Sequence, residues 1–324
     1  MVFTARASKE ADDWAQRPPE EGGPQRGLFV GKDPVTRVLS DGTVEVPQKV
    51  VWTPEADLSP SVEWWPGRYY DQNDPLWTLW LPRERTAEEW RKAHDAGEVD
   101  LAEMEAGIER AARGAGQFVI AGDAADDTYN DVPSQMAESA WNTLVGIDHW
   151  TGAQVAEWRG RVDHDLVACH AFLAGMFFGW AWLSIERTGG YGGVILDRLQ
   201  RRFYYPAGRM YREKVLDDRK RREVDRYGWD TNRRTKPQME ATAQALLREG
   251  THGIRSPRLA AEMATYIKDE KNPTKHEPSP GAFSDLLMAW MQAHMIRNLK
   301  PVLHRSTAEQ QGRRPNTMTR RITY

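Results

Sequence analysis

Apolar and polar positions have different patterns before and after about residue 116 of this chain. In the first third, short apolar stretches are interrupted by proline, glycine and tryptophan. Only 41–52 alternates there, weakly, like one arm of a hairpin with a proline at a sheet edge. Residues 85–116 predict a helix that begins at a capping box formed by Thr86 and Glu89. We therefore expect residues 1–115 to be an irregular, linker-like N-terminal extension.

From residue 116 onward, segments with the pattern of strands and helices alternate. Apolar runs at 117–122 and 179–186 predict buried strands, and 141–160 predicts a hairpin. Helices are predicted after Asp163 and over 192–200, 237–249, 257–270 and 282–299, and a charged hairpin is predicted over 210–229. This order predicts an α/β domain over 116–300, a mixed sheet flanked by helices, followed by a basic tail at 301–324.

Composition narrows the class of protein. Of 324 residues, 40% are hydrophobic and 28% are charged, which is ordinary for a globular protein, and no apolar run is long enough to span a membrane. The first residues lack the features of a signal peptide, and the single Cys169 argues against a disulfide scaffold or a cysteine zinc site. We expect a cytoplasmic protein that is not secreted. Its clustered tryptophans, which include Trp64, Trp65, Trp77, Trp80 and Trp90, are expected in the core or at an interface, the alternative being that they stack on nucleic-acid bases.

The net charge of −3 hides a strong asymmetry. Residues 1–110 carry 13 basic and 22 acidic residues, whereas 198–236 carry 14 and 6, and 297–324 carry 7 and 1. An acidic protein with two basic stretches fits a polyanion binder, although solvated surface is an equally simple explanation.

Three acids lie where strands end or a helix begins. Asp123 ends the first predicted strand, Glu186 ends the second, and Asp285 begins the last helix. Ligands of open α/β sheets gather at the carboxyl ends of strands and at nearby helix N-termini, so Asp123 and Glu186 meet if their strands are parallel neighbours. Close carboxylates repel one another, and Mg²⁺ or Mn²⁺ removes that cost. The pattern therefore predicts a divalent metal site.

Each acid also has a purely structural explanation. Asp123 would cap a turn, Glu186 would pair with Arg187 or Arg161, and Asp285 would favour the dipole of its helix. Taken singly, these explanations are the simpler ones. Taken together, two acids at strand ends and one at a helix start form a known constellation.

Five stretches keep the order and spacing of a known family. They read VIAGDAADD, VGIDHWTGAQVAEWRG, LSIERTGGYGGVILDRL, YGWDTNRRTKPQMEATAQALLREG and GAFSDLLMAWMQA. Over 116–299, a little over half of the chain, the sequence resembles the nuclease domain of phage terminase large subunits, within the ribonuclease H-like superfamily.

This resemblance implies that Asp123, Glu186 and Asp285 are catalytic, metal-binding carboxylates, with Asp131 or Glu138 as auxiliary acids. It implies phosphodiester hydrolysis with two Mg²⁺ or Mn²⁺ ions about 3.5–4 Å apart. One ion would activate water, the other would stabilise the leaving 3′ oxygen, and Asp123 would bridge both. The implied substrate is concatemeric double-stranded viral DNA, cut during genome packaging in the cytoplasm of an infected host.

The chain departs from the family pattern at two positions. Ser284 stands where the family often has a second acid beside Asp285, and Thr188 stands where it often has asparagine two residues after Glu186. The absent carboxylate at Ser284 weakens the expectation for one metal position but leaves the three acids in place.

Basic residues between the second and third acids predict sequence-independent contacts with the DNA backbone, because Lys and Arg neutralise phosphates. The expected residues are Arg201, Arg202, Arg209, Arg212, Arg221, Arg222, Arg233, Arg234 and Lys236. The alternative is a solvated β-ribbon with internal ion pairs. The basic segment 305–321 is expected to be a mobile arm.

No phosphate-binding loop of a motor is recognisable in the sequence. GLFVGKDP at 27–34 has three residues between its glycines instead of four, and Asp33 follows the lysine where Ser or Thr is required. The resemblance therefore implies either a separately encoded or excised nuclease part, with a separate ATPase motor subunit as a partner, or a truncated large subunit. A small terminase subunit and the portal or capsid are the other implied partners.

Two other functions remain open. An Asp, Glu, Asp set also fits other ribonuclease H-like nucleases, such as a junction resolvase or an RNA–DNA hybrid nuclease. A non-catalytic module that docks DNA or a capsid partner would keep the basic stretches without needing the acids.

Overall fold

The structure is a computed structural model, and it describes residues 5–39, 42–80, 87–101, 104–105, 117–125, 140–188, 190–217, 222–268 and 276–300. The helices described there are α1 (Ala5–Ala15), α2 (Ala87–Asp95), α3 (His164–Phe177), α4 (Tyr191–Asp197), α5 (Thr235–Glu249), α6 (Pro257–Thr265) and α7 (Asp285–Leu299). The strands are β1 (Gln25–Leu39), β2 (Gly42–Pro54), β3 (Glu63–Trp65), β4 (Arg68–Tyr69), β5 (Trp77–Leu79), β6 (Phe118–Asp123), β7 (Asn142–Asp148), β8 (Gln154–Gly160), β9 (Trp182–Ile185), β10 (Arg212–Asp217), β11 (Arg222–Tyr227), β12 (Tyr266–Lys268) and β13 (His276–Pro278).

Seven of the described strands form one mixed sheet in the order β2-β1-β5-β8-β7-β6-β9. Strands β6, β7 and β8 are antiparallel neighbours, and β9 pairs with β6 in parallel after the crossover through α3. A parallel neighbour reached through a helix is the arrangement that brings two strand ends to one edge of a sheet. The predicted class, an α/β fold with a mixed sheet flanked by helices, is confirmed.

Alternation along the central strands explains why both faces of the sheet are covered. In β6, Ile120 packs on the side of α3 and α4, whereas Val119 and Ala121 pack on the side of α5, α6 and α7. Strand β7 alternates in the same way, with Leu144 on the first side and Val145 on the second. Because side chains point to opposite faces every second residue, the face that carries Val119 and Ala121 also carries Asp123.

The N-terminal region continues this sheet. Strand β2 forms one edge, with Pro47 opposite Pro34 in β1, and β5 joins β1 to β8. An edge position tolerates proline because one side of the strand has no partner. The segment GLFVGKDP lies inside β1 as extended chain and does not precede a helix.

The chain divides differently from the expected boundaries at 115 and 300. One compact unit combines residues 1–84 with 115–301, and a second combines 85–114 with 302–324. Strands from both sides of residue 115 share one sheet, which accounts for the first unit. The described part of the second unit contains α2. Thr86 and the predicted arm at 305–321 lie outside the described residues.

Several predicted elements are found within a few residues of their expected bounds. The hairpin at 141–160 is β7 and β8, the charged hairpin at 210–229 is β10 and β11, and Asp163 caps α3 by accepting a hydrogen bond from the Leu166 amide at 2.9 Å. The helix expected over 257–270 is shorter, because the chain turns into β12 at Tyr266. No helix among the described residues combines the length and apolar character needed to cross a bilayer.

Candidate active site

Asp123 and Glu186 lie at matching positions of neighbouring parallel strands. Gly122 in β6 is opposite Ile185 in β9, and the Glu186 amide donates a 2.7 Å hydrogen bond to the Gly122 carbonyl. Neighbouring strands are about 4.8 Å apart. The two acids therefore occupy adjacent places at the carboxyl end of the sheet, as their sequence positions predict.

Asp285 reaches the same end of the sheet through Thr143. In β7, Thr143 is opposite Asp123, and its hydroxyl donates a 3.0 Å hydrogen bond to the Asp285 carbonyl at the start of α7. The Trp141 amide donates at 2.9 Å to Oδ2 of Asp285. Three acids far apart in sequence are thus joined through one cross-strand pair and two hydrogen bonds.

These acids influence one another electrostatically. Burial raises the pKa of Asp123 well above its usual range, and the negative charges of Glu186, Asp285 and Glu262 raise it further. Burial also raises the pKa of Asp285, opposed by the hydrogen bond from Trp141 and the positive charges of Arg159 and Arg161. A cluster with these shifts gains from any positive charge that enters it.

Burial, hydrogen bonds and a nearby lysine act on the carboxyl group of Glu186. Its side chain is buried, which raises its pKa, while hydrogen bonds from Thr231 and Thr188 and the charge of Lys236 act in the opposite direction. Thr188, the residue that departs from the family pattern, is thus one of the groups that stabilise the ionised carboxylate. Its hydroxyl oxygen also accepts a 3.1 Å hydrogen bond from the Thr231 amide.

The segment before α5 places Lys236 near Glu186. The Asn232 side chain accepts hydrogen bonds from the amides of Arg234 and Thr235, which closes a turn at the helix start. Lys236 then donates from Nζ to the His276 carbonyl at 2.9 Å. The Lys236 ammonium is therefore fixed beside the acids by a contact across to β13.

Sequence reasoning missed Glu262 in α6. Its Oε2 accepts a 2.9 Å hydrogen bond from the Leu287 amide in the first turn of α7, and its Oε1 is buried without a hydrogen-bond partner among the described residues. Burial raises its pKa to about 8. The signal in the sequence was an acid on the face of a helix that also carries Leu259 and Met263.

Arg159 and Arg161 were also missed as neighbours of the acids. Arg161 was expected as a possible partner of Glu186, but its charge interacts with Asp285, and the other suggested partner, Arg187, is paired with Asp230 at 3.3 Å. The available signal was the alternation of polar residues in AEWRGR, which places Glu157, Arg159 and Arg161 on one face.

The donor set at this end of the sheet fits a hard divalent cation. It consists of carboxyl oxygens, and Oε1 of Glu262 is buried with no hydrogen-bond partner among the described residues. Within the described ranges, however, no three Asp, Glu, His or Cys side chains converge into a ready-made metal centre. The acids share one end of the sheet, but they are not placed as ligands of a single ion.

The basic residues expected at phosphates differ in their surroundings. Arg201 pairs with Asp197, Arg202 with Asp165 and Arg212 with Asp225, while Arg209 lies over the Trp182 ring. Arg222, Arg233 and Arg234 are exposed. The strands β10 and β11 carry four basic and four acidic residues, with cross-strand pairs such as Lys214 and Glu223. In its described part, this ribbon therefore has no excess of positive charge.

Some predicted residues lie outside the described part of the chain. They are the auxiliary acids Asp131 and Glu138, and Arg221. Of the tryptophans expected in the core, Trp64, Trp65, Trp77 and Trp80 are buried.

Comparisons with known proteins give loose structural likenesses. No family model matches the chain, and no curated protein matches it. The structure is similar to a crystal structure of the large terminase nuclease from thermophilic phage G20c, with a TM-score of 0.38 and 12% identity over 55% of this chain and 81% of that chain. The crystal structure of that nuclease with bound cobalt gives a TM-score of 0.37 and 13% identity over 55% of this chain and 81% of that chain. The crystal structure with bound magnesium gives a TM-score of 0.38 and 12% identity over 56% of this chain and 84% of that chain.

Proposed function

We propose that this protein is a divalent-metal-dependent endonuclease that cuts double-stranded viral DNA during genome packaging, in the infected cell. The observation that carries the proposal is the meeting of Asp123, Glu186 and Asp285 at one end of the central strands. The family resemblance of the motifs supports DNA as the substrate.

The residues of the chain have distinct tasks in this proposal. Asp123, on the central strand β6, would be the ligand common to both cations, and Glu186 after β9 and Asp285 at the start of α7 would each hold one of them. Bound divalent cations would supply the activation of water and the neutralisation of the phosphate charge.

The surrounding protein prepares the carboxylates for that task. Burial on the side of α7 removes water that would screen their charge. The hydroxyls of Thr188 and Thr231 orient Glu186, and the Trp141 amide orients Asp285. Lys236 lies near Glu186 and is available to interact with a phosphate oxygen.

The first test is cleavage of supercoiled plasmid with Mg²⁺ or Mn²⁺. Wild-type protein is expected to nick or linearise the plasmid, while Asp123→Ala and Asp123→Asn reduce the rate at least about 100-fold, because an electrostatic contribution of this kind is commonly worth that much. The matched control is Asp33→Asn. Asp33 is an exposed residue of β1. Its φ of 53° lies in the left-handed region, which asparagine tolerates well.

Cleavage and binding assays on further substrates distinguish the proposed nuclease from the two alternative functions. Cleavage of four-way junctions or RNA–DNA hybrids in preference to duplex DNA would identify a different ribonuclease H-like nuclease. Tight binding of plasmid without cleavage in either metal would identify a docking module. An Asp123→Asn protein as active as wild type would overturn the assigned site.

A further inference from the structure

The first turn of α7, which begins with Asp285, is not capped by the residue before it. That residue is Ser284, and its side chain makes no capping hydrogen bond. The first amides of a helix have no acceptor within the helix, and a serine at this position usually supplies one. The buried amide of Leu287, the third residue of α7, therefore needs an acceptor from elsewhere in the protein.

Glu262 supplies that acceptor from the neighbouring helix α6. Its Oε2 accepts the 2.9 Å hydrogen bond from the Leu287 amide, and the residue is only 7% exposed. Because both groups are buried, removal of the carboxyl group would leave the amide without an acceptor. The start of α7 is thus capped by a side chain of α6.

This cap lies beside an acid of the candidate active site. Asp285 is the first residue of α7, and its own contacts come from the Trp141 amide and the Thr143 hydroxyl. Helix ends fray when their free amides are not bound, and the first residue is the one that fraying displaces most. The hydrogen bond of Glu262 is therefore the third attachment that keeps Asp285 in place.

Glu262 is close enough to the other acids to act on their charges. Its negative charge acts on Asp123, and that of Asp285 acts on Glu262. Glu262 could serve the site in two ways, by holding α7 through Oε2 or by binding a cation itself. The first is carried by a hydrogen bond in the structure, whereas no three Asp, Glu, His or Cys side chains within the described ranges converge on one point.

We infer that Glu262 is a positioning residue, which caps α7 from α6 and so holds Asp285 where the proposed cations bind. This inference rests on the proposed function for the presence of those cations. In this role Glu262 acts through Leu287 and Asp285 and contacts neither a cation nor DNA. The Leu287 amide requires one hydrogen-bond acceptor, which a carboxyl oxygen or an amide oxygen of the same reach provides equally well.

The test compares loss of the acceptor with loss of the charge. Glu262→Ala removes the acceptor, whereas Glu262→Gln keeps an acceptor of the same reach and removes the charge. Mn²⁺ is titrated into the full-length protein at pH 7, and the free ion is followed by its electron paramagnetic resonance signal. Glu262→Ala is expected to weaken Mn²⁺ binding about tenfold or more, as commonly follows when a group that orients a metal ligand is lost, and Glu262→Gln to stay within about threefold of wild type.

Hydrogen exchange followed by mass spectrometry measures the cap itself, in EDTA. Glu262→Ala should lose protection of the amides in the first turn of α7, because the Leu287 amide no longer has an acceptor. Glu262→Gln should keep that protection.

Asp163→Ala is the matched control for the loss of a helix cap. Asp163 caps α3 with a hydrogen bond of the same length, 2.9 Å from the Leu166 amide, and α3 packs on the other face of the sheet. This variant should lower the melting temperature and lose protection at the start of α3. It should leave Mn²⁺ affinity unchanged, because α3 carries none of the three acids.

Three results would overturn the positioning role. They are wild-type Mn²⁺ affinity in Glu262→Ala, equal weakening by Glu262→Gln and Glu262→Ala, which would make Glu262 a ligand of the cation, and equal weakening by Asp163→Ala, which would make the effect global. If Glu262→Ala does not fold, Glu262→Asp decides, because its shorter side chain withdraws the carboxyl group from Leu287. Wild-type Mn²⁺ affinity in that variant overturns the inference.

Failure of the proposed function gives a different result. Wild-type protein that binds no Mn²⁺ would refute the metal-dependent nuclease, and with it the positioning of Asp285 for cations. The exchange experiment would still show whether Glu262 caps α7, because it is carried out without metal.

Discussion

At the scale of single residues, burial governs the chemistry of the acids. Asp123, Glu186, Asp285 and Glu262 are all carboxyl groups removed from water, and burial is the largest cause of the raised pKa of each. An exposed aspartate at a strand end would be an ordinary turn residue. Four acids near one another, with Glu186 and Glu262 buried and Asp123 and Asp285 half-buried, have a cost that only hydrogen bonds, nearby arginines or cations offset.

Glu262 allows this cost to be measured through protein stability. Its pKa rises from the usual 4.5 to about 8 in the folded protein. The folded state therefore holds a proton that the unfolded state releases, so the contribution of Glu262 to stability is fully present below pH 4.5 and is lost as the pH rises toward 8. We expect Glu262→Gln, which cannot ionise and still accepts the Leu287 hydrogen bond, to flatten that decline.

The measurement is chemical unfolding of wild-type and variant protein from pH 5 to pH 8 in EDTA. The difference between the two proteins should widen in favour of Glu262→Gln as the pH rises. Parallel pH profiles would show that Glu262 keeps an ordinary pKa. Comparison with wild type removes the contribution of the other titrating groups, which both proteins share.

At the scale of elements, α4 fixes the backbone of Glu186. A Cβ at Gly192, in the first turn of α4, would lie 1.7 Å from the Glu186 carbonyl oxygen. Only glycine permits this approach of helix to strand end. The neighbouring Gly193 faces open space, with no atom within 4 Å of an added Cβ. Two adjacent glycines of one short helix thus have opposite structural requirements.

We expect Gly192→Ala to destabilise the protein by about 1–3 kcal/mol through overpacking, and to reduce cleavage further by displacing Glu186. Gly193→Ala should be neutral or stabilise by about 0.5–1 kcal/mol, because alanine favours a helix over glycine. Denaturant unfolding and plasmid cleavage measure both effects. Equal behaviour of the two variants would contradict the tight contact with Glu186.

At the scale of the whole molecule, the core spans the boundary expected at residue 115. Phe29 in β1 contacts the rings of Phe177 and Phe178 at the end of α3, and Trp64 stacks on His170 within α3 at 4.9 Å between ring centroids. Trp77 is fully buried against Trp158 of β8. The N-terminal strands therefore cover one face of the helix that connects β8 to β9.

We expect a fragment of residues 116–300 not to fold into a rigid native state. Removing β1, β2 and β5 uncovers the apolar surface of α3 and leaves β8 as an unpaired edge. The fragment should bind hydrophobic dyes and lack the near-ultraviolet circular dichroism of packed aromatic residues, which the full chain should show. A cooperative thermal transition and a full aromatic signal in the fragment would contradict this expectation.

The local pattern of the chain was sufficient for features that depend on neighbours in sequence. Hydrophobic periodicity located β6, the hairpin of β7 and β8, and α7, and capping chemistry located the start of α3 at Asp163. Acids at the ends of these elements marked Asp123, Glu186 and Asp285. These features follow from backbone geometry and local hydrogen bonding, which a short window of residues already contains.

Tertiary structure alone decided which distant residues meet. The register of β6, β7 and β8 aligned Asp123 with Thr143 and Arg159, and the docking of α6 on α7 brought Glu262 to the same end of the sheet. The sheet also recruited the N-terminal strands into one core, against the irregular pattern of their sequence. Such pairings are determined by the burial of apolar surface over the whole unit, which no single segment fixes by itself.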